Sequence, residues 1–173
     1  GADWDQELGC LTDLNNKKAT NYALLFNNIK DYPKGYRVLT SSNSRVGRVA
    51  TTLDMDPALD SKSLLDHLYR EIKVWAGRLG AFPLEQITSG PILENVHSGK
   101  DINLFEFPVP KWHELDGGRY IGTGDVVITR DPDTGEINLG TYRIMVHDRQ
   151  TTALYISPGH HGRQDYEKYH ARK

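Results

Sequence analysis

A chain of 173 residues, 38% hydrophobic and 25% charged, suits one compact domain or two small lobes sharing a core. Its formal charge of −2 and pI near 6.4 argue against a phosphate-backbone partner, so no nucleic acid is expected. No apolar run approaches the roughly 20 residues that cross a bilayer, so no membrane partner is expected either. The single cysteine, Cys10, cannot form an internal disulfide, which fits a reducing, cytoplasmic setting. There is no charged-then-apolar leader. The opening "GADWDQELG" lacks an initiator Met, which points to processing, an expression remnant or a missing front end.

Two extended runs, 22–26 and 36–40, are joined by a turn on Pro33 and Gly35. The clearest helix follows, capped by Asp60 or Ser61. Leu64, Leu65, Leu68, Ile72, Trp75 and Leu79 recur at helical spacing, and Gly80 and Pro83 mark its end. That stripe reads as a core-facing surface. From Gly90 the chain is rich in Pro and Gly and reads as extended segments and ordered loop. "YIGTGDVVITR" and "INLGTYRIMV" look like strands flanking the turn "DPDTGE", where Pro132 suits an early position and Gly135 a left-handed one. "TTALYIS" gives a third strand, "SPGHHGR" a tight loop, and "QDYEKYHARK" the start of a helix. The fold class expected is α+β: a mixed N-terminal half followed by an antiparallel meander.

Asn138 follows the turn at a sheet rim, where its amide oxygen can reach a metal or where it is simply a turn residue. Alternation puts Asn138, Gly140 and Tyr142 on one face and Leu139, Thr141 and Arg143 on the other. Gly140 leaves room for a ligand or another backbone, or marks a bulge. Arg143 reads as a buried strand arginine needing an anion, either a structural carboxylate or a substrate. Of the adjacent His160 and His161, at most one is a metal-ligand candidate. The turn "DPDTGE" is not a calcium loop, because Gly135 occupies a ligand position and the late Glu is absent. Asp125, Glu136, Asp148 and Glu167 read as isolated surface carboxylates. Trp112 and His113, before Gly117 and Gly118, either line a pocket or shield one end of the sheet. No phosphate loop with Lys, Cys-x-x-Cys pair or nucleophile elbow occurs.

The segments "LLFNNIKDYPKGYRVLT", "FPVPKWHELDGGRYIGTGDVVITRDPDTGEINLGTYRIMVHD" and "TTALYISPGHHGR" resemble, in order and over nearly the whole chain, the UbiD family of decarboxylases that use prenylated flavin mononucleotide. The version "DGGRYIGTGDVVITRDPDTG" is most similar to members acting on phenolic or other aromatic acids. The resemblance implies an N-terminal α/β region over 1–90 and the first part of a flavin-binding split β-barrel over 91–173, without the family's C-terminal part. It implies Asn138 and His161 as ligands of a divalent ion, usually Mn2+, held against the cofactor phosphate, with K+ as a further candidate. Thr141, Tyr142, Arg143, His160, Gly162 and Arg163 match cofactor-contacting positions, and Arg143 would also meet the substrate carboxylate.

The implied function is reversible, non-oxidative decarboxylation of an aromatic or α,β-unsaturated acid. The flavin takes up the electrons that carbon dioxide leaves behind, and a protonated Glu returns a proton. A flavin prenyltransferase would supply the cofactor, and a second copy or a complementing chain would cover open sheet edges. The third metal ligand and the catalytic Glu residues lie downstream in the family. The chain is therefore expected to be a fragment or split subunit with weak or no turnover alone. The rival reading is a non-catalytic flavin- or phosphate-binding or assembly module.

Overall fold

The structure, a computed structural model, describes residues 1–81, 83 and 85–173, and the side chain of Leu79 lies outside the described residues. Two units are discernible: one of residues 1–11, 26–38 and 102–173, the other of residues 12–25 and 39–101.

Helix α1 (Glu7–Asn16) opens the chain, followed by strands β1 (Leu24–Phe26) and β2 (Val38–Thr40), which pair with one another. Both lie inside the runs expected to be extended. Gly35, at φ +112, supplies the left-handed position of the turn between them. In the second unit, helix α2 (Val46–Thr52) packs on α3 (Ser61–Ala76). Asp60 caps α3 by accepting the backbone N–H of Ser63 at 2.7 Å. That hydrogen bond, more than any other contact, holds its carboxyl below the ordinary carboxylate range.

The apolar stripe of α3 departs from the core-facing reading. Leu64 is buried, but Leu65, Ile72 and Trp75 are 65%, 56% and 50% exposed. The seven-residue α2 is too short to cover a stripe running four turns. The helix also stops at Ala76, one turn before Leu79, which begins a short 3-10 turn.

In the first unit, Leu8, Ile29, Val109, Tyr142 and Val146 form the buried core. The N-terminal segment is stitched to the chain at Lys111 by an isolated bridge: Gln6 N donates to Lys111 O at 2.8 Å and Lys111 N to Trp4 O at 3.1 Å. Gly9 is required there, since a Cβ on it would lie 1.8 Å from the carbonyl oxygen of Trp112.

The antiparallel strands follow in order: β3 (Arg119–Gly122), β4 (Val126–Arg130), β5 (Ile137–Thr141), β6 (Ile144–Val146) and β7 (Thr152–Leu154). β3, β6 and β7 make one ladder and β4 with β5 another, and among the described residues they do not close into a barrel. Each of the two long runs expected as one strand is thus broken. Between β3 and β4 the break is Thr123–Asp125, beside a register shift at Tyr120/Gly122; between β5 and β6 it is Tyr142–Arg143. The third strand stops at Leu154, which pairs with Ile144, because its partner turns away just before that residue.

The β4–β5 register runs from Val126↔Thr141 to Arg130↔Ile137 without a bulge. Its turn is closed by Asp131, whose Oδ1 accepts the N–H groups of Asp133 (2.8 Å) and Thr134 (3.3 Å), with Gly135 at φ +78. Helix α4 (His161–Ala171) packs on β4 and β5.

Candidate functional site

Alternation along the β4–β5 hairpin decides which side chains meet α4. Val127, Thr129, Asn138 and Gly140 lie on the half-buried face, while Val126, Ile128, Leu139 and Thr141 face outward. Helix α4 begins earlier than the sequence suggests, so His161 sits in its first turn and not in a loop. His160, extended at φ −74 and ψ 146, is the N-cap residue. The helix is fixed along its length by Arg163–Glu167 at 2.7 Å and by Lys168 and Arg172, which reach the carboxylates of Asp131 and Asp133. Lys168 and Arg172 thus find their partners in the β4–β5 turn, which the sequence of the segment alone does not show.

With the helix starting at His161, Asp165 falls four residues on and shares its face. Asp165 is only 5% exposed and accepts a hydrogen bond from the hydroxyl of Thr129. Thr129 Oγ1 in turn accepts from Nδ2 of Asn138, directly across the ladder, at 3.1 Å. Asn138 and His161, the two residues matched to metal ligands, line one cleft of about 170 Å³ together with Asp131, Glu136, Ile137, Gln164 and Asp165.

Three carboxylates on this wall disfavour a bare anion, so a phosphate would enter only with a cation between. The Lys168 ammonium beside Asp131 holds that carboxyl below the ordinary carboxylate range. Among the described residues no three His, Cys, Asp or Glu side chains are grouped to hold a metal alone. An ion at Asn138 and His161 would therefore take further ligands from phosphate oxygens or water. An amide oxygen, an imidazole and phosphate suit a divalent ion such as Mn2+ in kind.

Tyr142 is 8% exposed and lies under the glycines on either side of it in space. A Cβ at Gly140 would sit 2.4 Å from the Tyr142 ring, and one at Gly162 would sit 3.1 Å from its hydroxyl. Its ring also meets His160 edge-on at 5.9 Å. Gly140 therefore makes room for a side chain of this chain; it is not a bulge.

Arg143 is exposed, not buried, and follows β5 in the break before β6. It lines a second cleft, of about 220 Å³, with Trp112, His113, Asp116, Tyr120 and Thr123. Trp112 and His113 thus take the pocket-lining role of the two left open. The indole N–H of Trp112 is buried and has no partner among the described residues. Thr141 and Arg143 lie on the outward face, whereas Tyr142, His160 and Gly162 cluster together on the α4 side. Arg163 pairs with Glu167 and lies over the ring of Tyr166 at 5.4 Å.

The enclosed arginine that the sequence suggested at position 143 is Arg119. It donates to Val109 O and Tyr32 Oη, each at 2.6 Å, and its guanidinium lies 4.0 Å from the Trp4 ring. Its partners are neutral oxygens and aromatic faces, which a planar, weakly hydrated cation accepts without a carboxylate. The two residues that sequence reasoning missed are Thr129 and Asp165. A hairpin register counted outward from Arg130↔Ile137 would have paired Thr129 with Asn138, and a helix begun at His161 would have exposed Asp165.

Among the described residues no helix is long and apolar enough to cross a membrane. The N-terminal 68 residues match the 3-octaprenyl-4-hydroxybenzoate carboxy-lyase N-terminal domain, and residues 85–173 match the Rift-related domain of the same family. The pyrrole-2-carboxylic acid decarboxylase of Pseudomonas aeruginosa is 32% identical over 142 residues, covering 80% of this chain and 28% of that protein. The phenolic acid decarboxylase of Sedimentibacter hydroxybenzoicus is 36% identical over 141 residues, covering 76% of this chain and 27% of that protein.

The solved vanillic acid decarboxylase of Sedimentibacter hydroxybenzoicus, in closed form, superposes with a TM-score of 0.82 at 29% identity, covering 99% of this chain and 36% of that one. The UbiD-class enzyme HmfF from Pelotomaculum thermopropionicum, in complex with FMN, shares the fold at a TM-score of 0.73 and 23% identity, covering 96% of this chain and 34% of that one. The chain therefore spans well under half the length of these relatives. By both domain matches, and with an architecture shared across almost its whole length, the chain belongs to the UbiD family.

Proposed function

We propose that this chain forms part of a decarboxylase that acts reversibly on an aromatic, phenolic or α,β-unsaturated carboxylic acid, using prenylated FMN and a divalent ion. The observation that carries the reading is the shared acidic cleft of Asn138 and His161, with Arg143 in a separate aromatic-walled cleft. The names of the relatives, two of them decarboxylases of pyrrole-2-carboxylic and phenolic acids, support the choice of substrate class.

In this reading Asn138 Oδ1 and His161 would hold the ion, which would offset the negative charge of the cofactor phosphate. Thr141, Arg143, His160, Gly162 and Arg163 contact the cofactor. Tyr142 acts from below, keeping His160 and the first turn of α4 in place. The exposed fork of Arg143 takes the substrate carboxylate in two hydrogen bonds, and Trp112 and Tyr120 flank an aromatic ring. As the carboxylate leaves as neutral carbon dioxide, Arg143 loses its anion, which limits rebinding. When bound, the prenylated flavin supplies the electron sink for the pair released at the substrate carbon.

Residues 1–90 serve as the α/β region and 91–173 as the flavin-binding portion. A flavin prenyltransferase supplies the cofactor, a second copy or a complementing chain is the assembly partner, and the free Cys10 suits a reducing cytoplasm. The test is co-expression with such a prenyltransferase. The purified protein should be coloured and should hold manganese. A colourless protein that releases no carbon dioxide from a panel of phenolic acids would leave only a non-catalytic module.

A further inference from the structure

An asparagine is a metal ligand only through its oxygen. Its amide has two ends of nearly equal size, one an acceptor and one a double donor, and only the surrounding hydrogen bonds decide which faces a ligand. At Asn138 that decision is legible. The Thr129 hydroxyl has a single proton, and it is given to the carboxylate of Asp165. What Thr129 Oγ1 can offer its cross-strand neighbour is therefore a lone pair. It accepts from Nδ2 of Asn138 at 3.1 Å, which turns Oδ1 the other way. Oδ1 accepts no hydrogen bond among the described residues, and Asn138 lines the cleft shared with His161.

The relay starts from a group that is almost fully enclosed, 5% exposed, on the helix face that carries His161. Asp165 thus ties α4 and the amide of β5 through one hydroxyl. We infer that Thr129 and Asp165 are positioning residues that fix the Asn138 amide with its oxygen, not its nitrogen, presented to a divalent cation. This rests on the reading of Asn138 and His161 as the ion's ligands.

Titration of Mn2+ into the chain with FMN present, followed by the loss of the free-ion paramagnetic signal, tests it. Thr129→Val removes the hydroxyl at constant shape and frees the amide to turn; Mn2+ affinity should fall roughly 10–100-fold, the range for losing a group that orients a ligand. Thr129→Ser keeps the relay and should bind as the wild type does. Asp165→Leu takes away the acceptor of the Thr129 proton and frees that hydroxyl to donate to Oδ1 of Asn138, which presents the wrong end of the amide, so affinity should fall again.

Asn138→Asp supplies two equivalent oxygens and needs no orientation. In that background Thr129→Val should cost little, a result that a merely structural threonine would not give. If Asn138→Ala binds Mn2+ like the wild type, or the wild type binds none, the ligand reading falls and the relay with it. If Asn138→Ala loses binding while Thr129→Val and Asp165→Leu keep it, the relay alone is overturned. Should Thr129→Val fail to fold by circular dichroism, Asp165→Leu, alone and in the Asn138→Asp background, decides the matter by the same criteria.

Discussion

Thr129 and Asn138 stand directly opposite one another on the β4–β5 ladder, and their side chains are joined by a 3.1 Å hydrogen bond on the face covered by α4. That pairing places the amide beside the helix turn that carries His161. Asn138→Ala and His161→Ala should each lower manganese retention and flavin occupancy together, by tenfold or more on the scale of a lost ligand-shell group. Metal analysis and flavin absorbance on the same samples check it; unchanged metal content in either variant would show that residue to be no ligand.

Gly140→Ala should destabilise the protein by about 1–3 kcal/mol, the usual cost of forcing extra volume into a packed site. The added methyl would lie 2.4 Å from the Tyr142 ring, and the ring has Gly162 and His160 at its other contacts. Combining Gly140→Ala with Tyr142→Leu should recover part of that loss, because the two share one space. Chemical denaturation measures both; strictly additive losses would contradict the packing described here.

Acid should loosen the grip of α4 on the Asp131 turn. The hydrogen bond from Lys168 lowers the carboxyls of both Asp131 and Asp133 below their ordinary 3.8, and Asp131 in turn raises the Lys168 ammonium above 10.5. For the depressed carboxyls, the stabilisation is complete above the unfolded value and is lost as pH falls through the folded ones. For the raised ammonium, it is complete below 10.5 and is lost as pH climbs beyond. The latch is thus constant from about pH 5 to 9. Lys168→Met should flatten the fall in melting temperature between pH 5 and about pH 2.5 relative to the wild type, followed by circular dichroism at several ionic strengths. Parallel curves would mean that the latch contributes nothing.

Removing the cap of α3 is a separable test in the other unit. Asp60→Ala should cost about 1 kcal/mol, typical for a lost N-cap, since the freed N–H of Ser63 has its bond to Asp60 at 2.7 Å. Asp60→Asn should retain most of it. Equal losses from Ala and Asn would point to charge and not to the cap.

Local chemistry made several elements legible from the sequence. Gly35 and Gly135 marked turns, Asp60 or Ser61 marked a helix start, and alternation put Asn138 and Thr141 on opposite faces of β5. Where neighbours in space decide the outcome, the sequence was silent or misleading. The α3 stripe looked core-facing because periodicity records amphipathicity, not what covers it. Arg143 looked buried because strand neighbours suggested a continuous ladder, whereas the chain bends at Tyr142–Arg143. The start of α4 was missed because His160–His161 between glycines reads as loop, and its stabilising partners, Asp131 and Asp133, lie some thirty residues earlier. With that start misplaced, Asp165 could not be seen to share a face with His161.

The central claim is that a dication bridges this chain and a flavin phosphate, and thermodynamic linkage tests it most directly. If Mn2+ and phosphate share the Asn138–His161 cleft, each must tighten the other by the same factor. FMN affinity, read from flavin fluorescence, should therefore rise several-fold or more when Mn2+ is added. Riboflavin, which lacks the phosphate, should show no such response, and His161→Ala should abolish it for FMN. FMN binding of equal strength with and without Mn2+ would contradict the account.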